Sequence, residues 1–291
     1  MAMGPRWPSS SWSTEAAMTS VRLTLEYDGS AFCGWQRQPD VRTVESVLCE
    51  ALAKLGLQVV ALTAAGRTDA GAHAHGQVVG LTLCEPFSAP ESRSNEALSR
   101  AREAFPTRLL GALNGVLPPD VTAVAATPAS DTFHARRDAL TRTYRYIVVP
   151  RRTRQAVARQ YAWHVRGPLD LDAMRRAGRL LQGTHDFAAF GRSPRPGGST
   201  TRTVHSVDVR RAGVSPDTSA ILIDVSADAF LYGMMRSFAG ALVAVGEGRI
   251  SETELHELLT TSQTKRAHLT VAPAHGLHQW AVTYPEAQEA R

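Results

Sequence analysis

Arg67 and Asp69 stand two residues apart in the stretch Ala65-Gly66-Arg67-Thr68-Asp69-Ala70-Gly71-Ala72-His73. A guanidinium beside a carboxylate favours its ionised form, and an ionised, positioned Asp suits a nucleophile or a general base. Spacing alone favours an ordinary surface turn with an Arg–Asp pair. A second set of reactive types is His73 with His75 and His185 with Asp186. Together with carboxylates these would suit a metal-dependent phosphohydrolase, but no third and fourth ligands follow at matching spacing. A third set lies on an expected strand, where Arg142, Tyr144 and Tyr146 share one face and Thr143 and Arg145 the other. Such tyrosines either stack on a base or belong to a core. Finally, Arg236 sits among Phe230, Leu231, Met234, Met235, Phe238 and Leu242. A charge there is costly unless paired, or else it is a solvated residue at the edge of an amphipathic helix.

The elements that would position these groups are readable from pattern. Val59 to Leu62 and Val78 to Leu81 are apolar runs on either side of the Asp69 loop, so strand, loop, strand is expected, with Gly66 and Gly71 bracketing the turn. Val21, Leu23, Leu25 and Tyr27 alternate with polar residues, the pattern of a half-buried strand. Val44, Val47, Leu48, Ala51, Leu52 and Leu55 follow helical spacing, with Thr43 as cap and Gly56 as stop. The N-terminal half thus reads β-α-β-β. Cys84–Leu110 suggests a helix with a mobile approach, Asn114–Asp120 a turn, and Val121–Ala126 a short strand.

In the second half, Arg142–Val149 reads as a strand, Asp170 to Leu181 as a capped helix, and Thr203–Arg211 and Ala220–Ser226 as strands. Gly191–Thr201, with prolines, glycines and two arginines, is a loop. Phe230–Val245 reads as a largely apolar helix, Ser251 with Glu254 as a capping box for a last helix through Leu259, and Trp280–Tyr284 as a tail strand. Two halves of similar order, 21–130 and 131–291, suggest an internal duplication. Residues 1–20 read as a disordered tail, with Met18 as an alternative initiator.

The 291 residues suffice for a sizeable core. The formal charge is +5, and all basic residues but Lys54 and Lys265 are arginine. Arginine suits phosphate and base recognition, although a GC-rich genome produces the same bias. Cys33, Cys49 and Cys84 are odd in number and lack a C-x-x-C spacing. That argues against a disulfide framework or a zinc knuckle and fits a reducing cytoplasm. No stretch approaches the ~20 apolar residues of a membrane span.

Five motifs in order carry a resemblance over about Val21 to Pro285. They are Leu25-Glu26-Tyr27-Asp28-Gly29 with Gly34-Trp35-Gln36-Arg37-Gln38; Gly66-Arg67-Thr68-Asp69-Ala70-Gly71-Ala72-His73; Phe133-His134-Ala135-Arg136 with Arg142-Thr143-Tyr144-Arg145-Tyr146; Ala229-Phe230-Leu231-Tyr232-Gly233-Met234-Met235-Arg236; and Ala272-Pro273-Ala274-His275-Gly276-Leu277. The chain resembles the TruA family of tRNA pseudouridine synthases.

That resemblance implies an α+β fold of two fused ferredoxin-like halves sharing a large mixed, mostly antiparallel sheet, with the active-site cleft at its centre. It implies isomerisation of uridine at positions 38, 39 and 40 of the tRNA anticodon stem-loop, no cofactor or metal, and a homodimer. Asp69 takes the part of nucleophile or base, Tyr144 stacks on the flipped uracil, Arg67 contacts RNA, and Arg236 pairs with Asp69 across the two halves. The candidates for holding the RNA body are Arg136, Arg137, Arg142, Arg145, Arg151, Arg152 and Arg154. The chain departs from the family pattern at Ala72, where valine is usual, at Arg137, where an aromatic is usual, and in the length of segment 84–110. The alternatives to an isomerase are a non-catalytic RNA-binding protein of the same fold and the metal-dependent phosphohydrolase.

Overall fold

The computed structural model describes residues 18–84, 95–154, 156–215, 218–260 and 270–285. Its first half runs β1 (Met18–Tyr27), α1 (Val44–Lys54), β2 (Gln58–Ala64), β3 (His73–Cys84), α2 (Asn95–Val116) and β4 (Val121–Pro128). The second runs β5 (Thr141–Pro150), β6 (Trp163–Val165), α3 (Leu171–Leu180), β7 (Gly183–Asp186), β8 (Thr201–Ser215), β9 (Thr218–Ala227), α4 (Met234–Gly246), α5 (Glu252–Thr260) and β10 (Leu277–Thr283). The class is α+β. One ten-stranded sheet has the order β4-β1-β3-β10-β5-β9-β8-β7, with β2 added to β3 and β6 to β5. Its pairs are antiparallel except β3–β10 and β5–β6.

The last strand is the seam. β10 pairs with β5 from Leu277 to Thr283, and with β3 only at His278↔His73 and Gln279↔Ala74. On one side, α1 and α2 bury Leu48, Leu52, Leu109 and Leu113 against Leu23, Leu25 and Leu81. On the other, α3, α4 and α5 bury Met174, Phe238 and Leu255 against Tyr146, Ile223 and Val225. The catalytic candidates lie where these two cores meet.

Local chemistry accounts for most boundaries. Thr43 and Ser46 form a reciprocal capping box at the start of α1, and Asp170 accepts from the Asp172 and Ala173 amides to start α3. Ser251 and Glu254 cap α5 in the same reciprocal way. Four expectations need correction. β1 starts at Met18 rather than Val21, because Thr19 and Ser20 pair with Leu83 and Thr82 and are buried; residues 1–17 lie outside the described residues. α2 continues through Asn114 to Val116, where a turn was expected. The Asn114 amide donates to the Ala123 carbonyl and accepts from the Ala123 amide, tying the helix end to β4. The approach to α2, residues 85–94, lies outside the described residues. α4 starts at Met234 and not at Phe230, because Gly233 adopts φ 77, a left-handed value that favours glycine and turns the chain into the helix. The short strands β6 and β7 carry too few residues to show a period, and pattern alone missed both.

Candidate active site

The Asp69 loop is fixed by hydrogen bonds from three strands and from the Trp35 loop. Gln77 Nε2 of β3 donates to the Gly66 carbonyl at 2.7 Å, and the Trp35 amide donates to the Thr68 carbonyl at 3.1 Å. Tyr27 and Thr68 share a hydroxyl–hydroxyl bond of 2.8 Å. Arg142 Nε of β5 donates to the Ala65 carbonyl at 3.3 Å. The loop turns back through the Ala72 amide, which donates to the Asp69 carbonyl. Of the two bracketing glycines, Gly71 takes a left-handed φ of 78. Gly66 answers to space instead: a Cβ there would lie 2.8 Å from Tyr144 Oη.

Arg67 does not pair with Asp69. The partner of Asp69 is Arg236, whose Nη1 donates to Oδ2 at 2.8 Å. Every residue of α4 except Arg236 is buried, so that helix is a rigid base for one guanidinium. Arg236 Nε also donates to the Ala272 carbonyl at 2.7 Å, and the Ala272 amide donates back to the Arg236 carbonyl. The two side chains are 23 % and 12 % exposed, so the pair is shielded yet open to the cleft.

Tyr144 projects from β5 toward the same loop, its ring buried and edge-on to Phe230 at 4.7 Å. Burial, with the Asp69 charge adding to it, pushes its phenol up to about 12, so it is neutral at pH 7. Two other buried tyrosines have satisfied hydroxyls: Tyr27 on Thr68, and Tyr146 on the Pro273 carbonyl at 2.6 Å. Tyr144 has no such partner among the described residues. Tyr146 is therefore a core residue, while the Tyr144 hydroxyl is unpartnered among the described residues and faces the Asp69 loop.

These groups sit in a cleft of about 1280 Å³. Arg67, Arg136, Arg137, Arg192, Arg195 and Arg202 line it, none with a carboxylate partner among the described residues. Burial, then repulsion from Arg67, Arg142, Arg195 and Arg202, holds the Arg136 guanidinium below its ordinary value. A polyanion would relieve that repulsion. Of the arginines expected to hold RNA, Arg136, Arg137 and Arg142 line this cleft. Arg142 is a structural brace: its guanidinium is bound to the carbonyls of Ala65, Ala139, Asp228 and Arg136. Arg145 pairs with Asp224 at 2.7 Å and lies over Trp280, outside the cleft. Arg192, Arg195 and Arg202 were not on the expected list. The signal for Arg192 and Arg195 was a loop rich in proline and glycine that holds two arginines; Arg202, in β8, had none.

Among the described residues the histidines do not gather into a metal site. His73 Nδ1 accepts from the Gly29 amide at 3.0 Å, which leaves Nε2–H to donate to the Gln160 carbonyl at 2.8 Å. Burial lowers its pKa, and it serves as a neutral strut behind the loop. His75 stacks on His278, and His185 contacts the Gln182 carbonyl. Among the described residues no three His, Cys, Asp or Glu side chains converge as ligands. Nor is any described helix long and apolar enough to cross a membrane.

Residues 177–285 match the family model described as tRNA pseudouridine synthase. The chain is 35% identical over 267 residues to the tRNA pseudouridine synthase A of Thermoanaerobacter sp. (strain X514), covering 92% of this chain and 100% of that protein. It is 38% identical to that of Pelobacter propionicus over 267 residues, again 92% of this chain and 100% of the other. The chain belongs to the tRNA pseudouridine synthase A family. A further relative, from Roseiflexus sp. (strain RS-1), is 39% identical over 269 residues and 92% of each chain. Family membership places the ten-stranded α+β architecture among pseudouridine synthases and gives neither the phosphohydrolase nor the binding-only alternative any support. In this chain the loop Gly191–Thr201 brings Arg192 and Arg195 to the cleft.

Proposed function

We propose that this chain is an isomerase that converts uridine to pseudouridine at positions 38, 39 and 40 of the tRNA anticodon stem-loop. Asp69 is its nucleophile or base. The reaction breaks the C1′–N1 bond and forms C1′–C5; N1 gains a proton and C5 loses one, so nothing is added or removed overall. An ionised carboxylate beside the flipped nucleotide is the common need of attack at C1′, proton removal at C2′ and addition at C6. The observation that carries the reading is the Asp69–Arg236 pair at the floor of a cleft lined by arginines.

The other residues take supporting parts. A uridine taken out of its stack costs a few kcal/mol, and stacking on an aromatic side chain recovers about 1–3 kcal/mol. Tyr144 supplies that ring, and its unpaired hydroxyl is available for the proton at C5. Arg236 orients Asp69, while Arg67, at the cleft wall, holds the RNA and keeps the base site open. Neighbouring target positions imply recognition of RNA shape and backbone more than of base sequence, for which six cleft arginines without acid partners among the described residues are suited. We further infer a cytoplasmic homodimer, with the chain dividing near residue 130 into an Asp69-bearing half and an Arg236-bearing half.

Stem-loop RNAs carrying a single uridine at position 38, 39 or 40 test the substrate. Pseudouridine at each of the three is expected. Modification of whole tRNA only at sites outside this stem-loop would overturn the positional assignment.

A further inference from the structure

Tyr232 is 59 % exposed, yet it stands on the wall of the Asp69 cleft. A single exposed aromatic is ordinary; this one is set in a rigid frame. The Arg192 amide donates to the Tyr232 carbonyl at 3.2 Å, and the Tyr232 amide donates to the Arg192 carbonyl at 2.9 Å, an isolated antiparallel bridge between the β7–β8 loop and the approach to α4. On either side of Tyr232, Leu231 is buried in the core and Gly233 turns into the helix. The Arg192 guanidinium lies over the Tyr232 ring, 5.6 Å from its centroid. Phe230, two residues earlier, touches Tyr144. One short segment thus presents an aromatic edge to the proposed base site and an open aromatic ring to the cleft mouth.

We propose that Tyr232, backed by Arg192, is a stacking platform for a second nucleobase, that of an unpaired loop nucleotide adjoining the target uridine. This rests on the reading of the cleft as an RNA-modifying site. Flipping one base leaves its neighbour without a stacking partner. Every base has a π-face, so an aromatic ring accepts whichever neighbour is presented. That tolerance is what a site acting on several adjacent positions needs. The arginine beside the ring adds a cation–π contact and a charge within reach of the backbone phosphate.

The test uses a stem-loop RNA with 2-aminopurine next to the target uridine, and the full-length protein as wild type, Tyr232→Ala and Tyr232→Phe. Tyr232→Ala is expected to lower kcat/KM about 10-fold and to lose the 2-aminopurine quenching that the wild type shows on binding. Tyr232→Phe, which keeps the ring, recovers both. The bridge to Arg192 is made by main-chain atoms, so it does not depend on the side chain substituted. Wild-type kcat/KM and quenching in Tyr232→Ala would overturn the platform and leave the isomerase reading standing. Equal losses in Tyr232→Ala and Tyr232→Phe would also overturn it, since stacking would not then be the cause. No pseudouridine from the wild type on the unlabelled stem-loop would bring down both.

Discussion

Asp69 and Arg236 are 167 residues apart in sequence and 2.8 Å apart in space, one on a loop of the first half and the other in the first turn of α4. The carboxylate proposed to do the chemistry is therefore oriented by the opposite half of the molecule. On this account Arg236→Ala lowers turnover about 100- to 1,000-fold, the scale of removing one preorganised electrostatic partner. Stability falls by no more than about 3–5 kcal/mol, the cost of leaving a buried charge unpaired. Circular dichroism and single-turnover kinetics check the two parts, and wild-type turnover in a folded variant would sink the pairing.

Two tyrosines of β5 provide a contrast. The Tyr144 hydroxyl has no partner among the described residues, so Tyr144→Phe should leave Tm nearly unchanged while slowing turnover. Tyr146→Phe orphans the Pro273 carbonyl, 2.6 Å from the phenol, and should cost about 1–3 kcal/mol of stability with little effect on chemistry. Thermal melts and kcat for the pair decide it; a large Tm loss in Tyr144→Phe would make that residue part of the core.

Gly66 is where packing meets chemistry. A Cβ at Gly66 would sit 2.8 Å from Tyr144 Oη, so Gly66→Ala must displace the phenol or the loop. Misplacement by about 1 Å can cost about 100-fold. A fall of 10- to 100-fold in kcat is expected, and unchanged kcat would show that the phenol position does not matter.

Acid should destabilise the fold partly through His278. Burial first, then repulsion from His73, His75 and Arg145, lowers its pKa from 6.5 to about 4. The unfolded chain therefore binds more protons than the folded one below 6.5, and stability is lost as pH falls toward 4. Above 6.5 this contribution is complete. Melts of wild type and His278→Gln across pH 4 to 7 should differ, with the variant showing the shallower dependence. Parallel curves would remove His278 as a cause.

Much of the frame was legible because local chemistry and global packing agree. Thr43 and the apolar spacing from Val44 to Leu52 specify α1 without help from elsewhere, and Ser251 with Glu254 does the same for α5. Arg236 could be singled out because a charge inside an apolar helix demands a partner, although nothing local says which. Other features depend on contacts between distant segments. Arg142 looks like an RNA-facing arginine until four carbonyls from three separate stretches are found around its guanidinium. The Arg192–Tyr232 bridge joins two loops, and neither carries a periodic signal. Gly66 reads as a flexible turn residue, whereas its role comes from a tyrosine 78 positions later.

The most direct test maps pseudouridine on an unmodified tRNA transcript carrying uridines at positions 38, 39 and 40, with wild type and Asp69→Asn run side by side in chelator. The substitution keeps the size of the side chain and removes its charge. Pseudouridine from the wild type alone is the expected result. Equal product from Asp69→Asn would contradict the assignment of Asp69 as the essential carboxylate.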